Sequence, residues 1–514
     1  MFMNDLQETL NGEKQLTENG AVGYRTSGKK LLDLNFKVSS LRSEKTDQIK
    51  KLYSDAFYEN PILALRWLFF ARDVREGIGE RRLFRVCLDW LTENRPELVK
   101  ALLPLVSEYG RFDDIWNLIE KNDEVTETIV SLIRDQLAED TKNAKAGKPI
   151  SLLAKWLPRA NTSSKNTVAL AKLLCKNLDM KEAQYRKTVA ALNKYLKTTE
   201  IAMSKGEWNE IDYKAVPSRA NLLYNNAFLR HDETRRRAYL ESLKRGETKI
   251  NAGVLFPQDI VHKYTNGNSS LAINTDDTLE ELWKNLPDYV NGAGNTIVVA
   301  DGSGSMTDTI GNTKVSALDA ANALAIYFAE RSSGEFKDQY ITFSDRPQLV
   351  SFKNAKTLRE KIGIALKHNE VASTNIEAVF KLILKTAVDK ELSQKDLPAN
   401  ILILSDMEFN MATGSSFYSR TRFKAPSKAL FEKLADLYKE YGYKLPRLVF
   451  WNLNSRTGTI PVQENEMGVA LVSGFSPVIV NMVLSGELDP YKCLLNEIGR
   501  ERYDRIEQVV ADLL

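Results

Sequence analysis

Histidine and cysteine are both scarce, with only 3 of each in 514 residues. Cys87, Cys175 and Cys493 stand far apart inside apolar helical patterns such as "FRVCLDWL" and "AKLLCKNL". That spacing excludes a disulfide framework and a clustered zinc site, and it predicts buried free thiols. His231, His262 and His368 show no HExxH or paired spacing, so zinc-hydrolase chemistry is excluded as well. Missing too is any apolar run near the roughly 20 residues that cross a bilayer. The start "MFMNDLQETLNGEKQ" lacks the basic and apolar regions of a signal peptide, and the expected location is the cytoplasm. No GxxxxGK[ST] loop is present, "GSGSM" has no phosphate-reaching lysine, and "GAGNT" precedes a strand instead of opening a helix. Nucleotide-binding readings therefore fall away.

What remains is an ordinary globular composition, 43% hydrophobic and 27% charged. At about 150 residues per domain the length implies two to four folded units. The net charge of +3 hides a division. Between Thr141 and Ile250 there are 23 Lys and Arg against 10 Asp and Glu, an excess of 13 positive charges that leaves the rest of the chain at −10. A segment so basic favours a polyanionic partner, although a charge run is often only a solvated face.

From about Ser43 to Lys249 apolar residues recur at helical spacing. "PILALRWLFFARDVR" offers Leu63, Leu65, Trp67, Leu68 and Phe69 as one stripe, and Pro61, Gly77, Gly79, Pro96 and Gly110 punctuate the segments. Stacked helix pairs of a degenerate HEAT-like solenoid are expected. A loop rich in Asn, Ser, Thr and Gly around 265–277 is expected to connect domains. After Asn295 strand-like "TIVVA", "QYITFS", "NILILS", "RLVFWNL" and "GVALVSG" alternate with amphipathic helices, which implies a parallel, doubly wound α/β sheet. The expected division is an N-terminal arm over 1–42, a helical domain over 43–280 and an α/β domain over 281–514.

Ligands of such sheets collect at the carboxyl ends of strands. Asp301, Ser303 and Ser305 follow the first strand, Thr374 lies in a loop opening a helix, and Asp406 follows "ILILS". Two carboxylates and three hydroxyls are hard oxygen ligands that suit Mg2+ or another divalent cation. Taken alone, "DGSGS" reads equally as turn and helix capping. No histidine lies in a neighbouring strand-end loop, so Ser303 and Ser305 lack the base a nucleophile needs. The constellation resembles the von Willebrand factor A domain and its metal-ion-dependent adhesion site over roughly residues 295–485. Gly302 departs from that pattern, where a larger apolar residue is common, and Glu408 is an extra acid nearby.

A helical solenoid followed by such a domain resembles the Ro (TROVE) family. It is more similar still to an uncharacterised plant, fungal, viral and phage family joining a Ro-like helical part to a von Willebrand A domain. The stretches "TENGAVGYRTSGKKLLDL", "YGRFDDIWNL", "SLLAKWLPR", "EWNEIDYKAVPSRA" and "AFLRHDETRRRAYLESLKRGETKINAGVLFP" carry the likeness. The resemblance implies RNA binding by a ring-shaped, non-enzymatic scaffold. Candidate contacts are Lys155, Arg159, Lys165, Arg230, His231, Arg235, Arg236, Arg237, Lys244 and Arg245. Arg230, Arg237 and Lys244, seven apart, would share one face of a helix and follow a phosphate backbone. Trp156, Tyr213 and Tyr224 could stack bases or belong to the core. Some of the basic residues would instead pair with Asp232, Glu233 and Glu241.

The leading expectation is thus an RNA-binding scaffold whose metal site captures a carboxylate of a partner. The alternative is a metal-dependent protein-interaction module, of adhesion or chaperone-adaptor class, without RNA. No membrane partner is expected, and the opposite charges of the two parts permit self-association.

Overall fold

The computed structural model describes residues 14–16, 22–268, 270–291, 295–311, 313–343, 346–369, 376–407, 430–455, 460, 469–474, 476, 479–480 and 489–514. In chain order the helices used below are α1 Lys30–Phe36, α2 Thr46–Glu59, α3 Pro61–Arg72, α4 Arg81–Asn94, α5 Pro96–Leu102, α6 Asp123–Lys145 and α7 Leu153–Trp156. They continue as α8 Lys165–Asn177, α9 Glu182–Leu196, α10 Thr199–Lys205, α11 Ser218–His231, α12 Glu233–Lys244, α13 Pro257–Thr265 and α14 Asp277–Lys284. The last are α15 Ala317–Arg331, α16 Leu358–Lys367, α17 Ile376–Asp389, α18 Leu430–Glu440, α19 Pro490–Ile498 and α20 Asp504–Val510. The strands are a short antiparallel hairpin, β1 Lys14–Leu16 and β2 Val22–Tyr24, then β3 Thr296–Asp301, β4 Gln339–Phe343, β5 Leu349–Ser351, β6 Asn400–Ser405, β7 Arg447–Asn452 and β8 Val469–Ser473.

The chain forms two compact units. One takes the described residues of Met1–Ala64 and Ala252–Arg500; the other takes Leu65–Asn251 and Glu501–Leu514. These are not the boundaries expected at 42/43 and 280/281, because both units are assembled from separated stretches of chain.

In the first unit the sheet order is β5-β4-β3-β6-β7-β8. All neighbours are parallel except β5, an antiparallel edge that the sequence pattern did not reveal. Every residue of β3 and β7 is buried, and so are Ile401, Leu402, Ile403 and Leu404 of β6. Successive side chains point to opposite faces, so a run buried throughout means both faces are covered. Each such side chain contributes about 1.5–3 kcal/mol through burial. On the sheet lies α15, buried from Ala317 to Ala329, and α13 packs on α15. Its many alanines permit this close approach from every side. Ser316 caps α15 by accepting from the Asp319 N–H at 3.0 Å, while Asp319 receives Thr265 Oγ1 at 2.7 Å and pairs with His262 Nδ1 at 2.8 Å.

The N-terminal stretch is built into this unit. Thr26 and Ser27 hydroxyls, with the Ser27 N–H at 2.6 Å, converge on buried Asp33 and turn the chain into α1. Ser39 Oγ donates to Asn452 O at 3.0 Å, Asn452 Nδ2 donates to Phe36 O at 2.8 Å, and Tyr24 exchanges backbone bonds with Ile460. These contacts cover the carboxyl end of β7 and β8. The loop around 265–277, expected as a connector, also belongs wholly to this unit: Ala272 N–H bonds Tyr264 O at 2.7 Å and Arg359 Nε bonds Ile273 O at 2.9 Å.

The second unit is helical throughout its described residues, and its helices pack mainly on neighbours in sequence: α4 on α5, α5 on α6, α6 and α7 on α9, α8 on α9, and α11 on α12. The helix α20 returns onto α5. Asn122 caps α6 by accepting from the Val125 N–H at 3.1 Å, with acids in the first turn and lysines in the last, as the helix dipole favours. The "YGRFDDIW" stretch proves to be an ion network. Asp114, fully buried, accepts Arg72 Nε at 2.8 Å and Arg85 Nε at 2.9 Å, and Arg81 joins at 3.2 Å. Burial pushes the Asp114 carboxyl up, but the charges of Arg72 and Arg85 outweigh it and hold the group below its ordinary range. The three cysteines are buried free thiols. Among the described residues no helix is long and apolar enough to cross a membrane.

Candidate metal centre and candidate nucleic-acid interface

The chain runs outward in one direction from β3 through β4 and in the other through β6, β7 and β8, so the topological switch lies between β3 and β6. In the parallel register Ala300 faces Leu404, which sets Asp301 beside Ser405 and brings Asp406 to the same edge. Both acids are buried, at 1% and 2% exposure. Ser405 Oγ donates to Asp301 Oδ2 at 2.7 Å, the Ser303 N–H donates to Asp301 Oδ1 at 2.9 Å, and the Ser303 and Ser305 hydroxyls lie 3.1 Å apart. Met407, in the left-handed region at φ 64°, aims its N–H at Ser405 Oγ at 3.0 Å and so locks the turn after Asp406.

This geometry has an electrostatic cost. Burial, and then the neighbouring Asp406 carboxylate, push Asp301 up to about 7. The other groups that set its proton affinity are Ser303 and Ser405, with no cationic side chain among them. Two buried acids facing hydroxyls, without a lysine or arginine, form a donor set that fits a hard divalent cation. Asp301 and Asp406, with the Ser303 and Ser305 hydroxyls, would hold it. Among the described residues no three Asp, Glu, His or Cys side chains cluster as a metal-holding group, so an ion there would rest on few direct charges. Thr374 and Glu408 lie outside the described residues. Gly302, the departure from the expected pattern, makes room for a neighbour: an added Cβ would sit 3.2 Å from Asn369 Cα and 3.3 Å from its Oδ1.

In the helical unit the ten basic candidates divide. Arg236 is 0% exposed: Asn221 and Asn225 accept from its guanidinium at 3.0–3.3 Å, and the Tyr213, Phe228 and Tyr239 rings surround it at 5.1–5.5 Å. It is a core residue and reaches no phosphate. Nor do Arg230, Arg237 and Lys244 form one stripe. The chain breaks at Asp232 between α11 and α12, leaving Arg230 on the first helix and the other two on the second.

The local pairing expected at helix spacing is present. Arg235 binds Asp232 at 2.9 Å and the carbonyls of Trp208 and Ile211, Arg237 binds Glu233 at 2.7 Å, and Lys244 binds Glu241 at 2.9 Å. Arg245 pairs with Glu247 at 2.6 Å, and Lys155 lies 3.6 Å from Glu200. His231 stacks on Trp208, centroids 4.4 Å apart. Arg159, Lys165 and Arg230 are exposed and have no ion partner among the described residues. Tyr213 is buried, and Trp156 lies half-buried under Arg111, 4.0 Å from guanidinium to ring. Tyr224 is half-buried against Phe228. Exposed Arg186, Lys187 and Lys194 on α9 were not singled out from sequence, although their i, i+1, i+8 spacing places them on one side of an amphipathic helix.

Residues 17–120 and 113–295 match the family described as "Domain of unknown function (DUF2828)". The chain belongs to the DUF2828 family. In this DUF2828 protein, residues 295–505 match a second description, "Domain of unknown function (DUF7788)". "Uncharacterized protein L728" of Acanthamoeba polyphaga mimivirus is 27% identical over 518 aligned positions, covering 93% of this chain and 86% of the viral one. The crystal structure of the Deinococcus radiodurans RO (RSR) protein is similar with a TM-score of 0.45 at 16% identity, covering 88% of this chain and 99% of that one.

Proposed function

We propose that this DUF2828 protein is a non-enzymatic RNA-binding scaffold of Ro-like build. The helical unit grips RNA, and Mg2+ held at Asp301 and Asp406 captures a carboxylate from a protein partner. The carrying observation is the segregation of charge, 23 Lys and Arg against 10 Asp and Glu over residues 141–250, with several of those cations exposed and unpaired. Phosphate neutralisation by such a surface releases counterions, so binding weakens steeply with salt. A bound ion would act as a Lewis acid toward an incoming oxygen ligand. Burial of Asp301 and Asp406 favours that role, because it keeps water from competing for the carboxylates.

The test is titration of labelled mixed small RNAs into the full chain between about 0.05 and 0.2 M salt, where several phosphate contacts lower affinity by orders of magnitude. Affinity that is absent at low salt, or flat across the range, overturns the reading. The second reading, a metal-dependent protein-interaction module without RNA, draws on the Asp301–Asp406 pair alone. It predicts Mg2+-dependent capture of a protein that an Asp301→Ala chain fails to hold, with no RNA in either sample.

A further inference from the structure

Within the helical unit the segment after α7 and the helices α9 and α10 enclose a cleft of about 610 Å³. Its lining includes Arg159, Arg186, Lys187, Lys194 and Lys205 and contains no acidic residue. Of these, Arg159, Arg186, Lys187 and Lys194 are exposed and have no ion partner among the described residues, and Lys205 lies 3.6 Å from Glu207. Five cations facing one hollow repel one another, and an anionic occupant relieves that repulsion.

A second observation points into the same place. Asn193 lines the cleft at 3% exposure and spends its amide hydrogens inside the protein, on Ala154 O at 2.6 Å and Val189 O at 2.9 Å. Those two carbonyls fix the orientation of the amide, since a flipped group would set oxygen against oxygen. Its Oδ1 is left without a hydrogen-bond partner among the described residues. A buried acceptor in that state costs about 1–3 kcal/mol until something donates to it. Inorganic phosphate has little to offer such an acceptor at neutral pH. A nucleotide carries both kinds of group, phosphate oxygens for the cations and a hydroxyl or amino hydrogen for the amide.

Shape and stiffness agree with a strand. Ala183 and Ala190 share the exposed face of α9 with the cations, so no bulk prevents a backbone from lying close. From Arg186 to Lys194 the row runs about 12 Å at 1.5 Å rise per residue, enough for several phosphates at roughly 3.4 Å axial spacing. The volume is that of a small-molecule cleft, about 300–1,000 Å³, which admits roughly one or two nucleotides and no duplex. The walls are held in advance: Tyr185 OH donates to Pro158 O at 2.8 Å, and Asn193 ties α7 to α9.

Resting on the RNA-binding reading above, we propose that this cleft seats a single-stranded RNA segment. The phosphates lie along Arg159, Arg186, Lys187, Lys194 and Lys205, and a base or ribose donor meets Asn193 Oδ1.

The experiment measures anisotropy of a fluorescein-labelled, mixed-sequence RNA of roughly 12 nucleotides, single-stranded and as a duplex, with the full chain. The quadruple variant Arg159→Ala, Arg186→Ala, Lys187→Ala, Lys194→Ala changes only exposed residues, and a thermal melt checks that it folds. At 0.15 M salt it should bind the single strand at least about tenfold more weakly, with a log–log salt slope shallower by about 3, at roughly 0.7 per lost phosphate contact. The control Arg230→Ala, Arg237→Ala, Arg245→Ala should stay within about twofold of the parent chain, since two of its three cations are already paired. Wild-type affinity and slope in the quadruple variant, an equal loss in the control, or a duplex bound as tightly as the strand overturns the cleft while leaving RNA binding intact. A parent chain that binds neither RNA at low salt overturns both.

Discussion

Asp301→Asn isolates the electrostatics of the strand-end acids. In the folded chain Asp301 is pushed from its ordinary 3.8 up to about 7. The folded state therefore holds a proton that the unfolded chain releases between those limits. Below about pH 4 the carboxyl costs nothing; as pH rises through 7 the ionised, desolvated group destabilises the fold, on the order of 4 kcal/mol for a shift of this size. In EDTA, then, the parent chain should lose stability from pH 4.5 to 8, and Asp301→Asn should lose much less. At pH 8 the variant should melt above the EDTA-treated parent.

Magnesium should reverse the ranking. An ion at about 100 times its dissociation constant adds about 2.7 kcal/mol, or roughly 5–10 °C, to a chain that binds it only when folded. The parent should gain that shift at pH 8 and the variant should not. Differential scanning fluorimetry with and without 10 mM MgCl2 at the two pH values reads all of this. The reasoning fails if Asp301→Asn melts below the parent in EDTA at pH 8, or if magnesium stabilises both chains equally.

Arg236→Leu should destabilise the helical unit by about 2–5 kcal/mol, because the amide oxygens of Asn221 and Asn225 lose their buried donor; per folded molecule the salt slope of RNA binding should not move. Gly110→Ala would set a methyl 2.6 Å from Asp114 Oδ2 and 2.9 Å from Arg72 Nε, and a urea titration should register a loss of roughly 1–3 kcal/mol. Ser39→Ala removes the hydroxyl that meets Asn452 O and Ser473 Oγ, and should lower the stability of the α/β unit by about 1–3 kcal/mol in the same assay.

The residues that were legible in the sequence are those whose environment repeats with a short period. "TIVVAD" and "NILILS" announce strands buried on both faces because nothing in them is polar at alternate positions. The acid that follows each run lands at the switch point by topology alone. Arg236 was misread for the opposite reason: a guanidinium in a run of three arginines looks solvent-facing, and only the cage of Tyr213, Phe228 and Tyr239 brought from three segments makes it a core group. The break at Asp232 was hidden because its flanks are all good helix formers, with no proline or glycine to mark the turn. The pairing of Ser39 with Asn452 spans more than four hundred residues, and no local pattern encodes it. The cations of α9 left a readable stripe, but its neighbours on the cleft wall come from other segments.

That long reach from Ser39 to Asn452 dictates an order of events at the ribosome. The α/β unit needs both its opening residues and strands made near the end of synthesis, whereas most of the helical unit emerges in one stretch between them. At about 5–20 residues per second, α1 must wait on the order of tens of seconds for the edge it covers. During that interval its apolar face, Leu31, Leu32, Leu34 and Phe36, is a ready substrate for chaperones. A fragment begun at residue 281 would carry the same defect permanently, with the carboxyl end of β7 and β8 stripped of its cover.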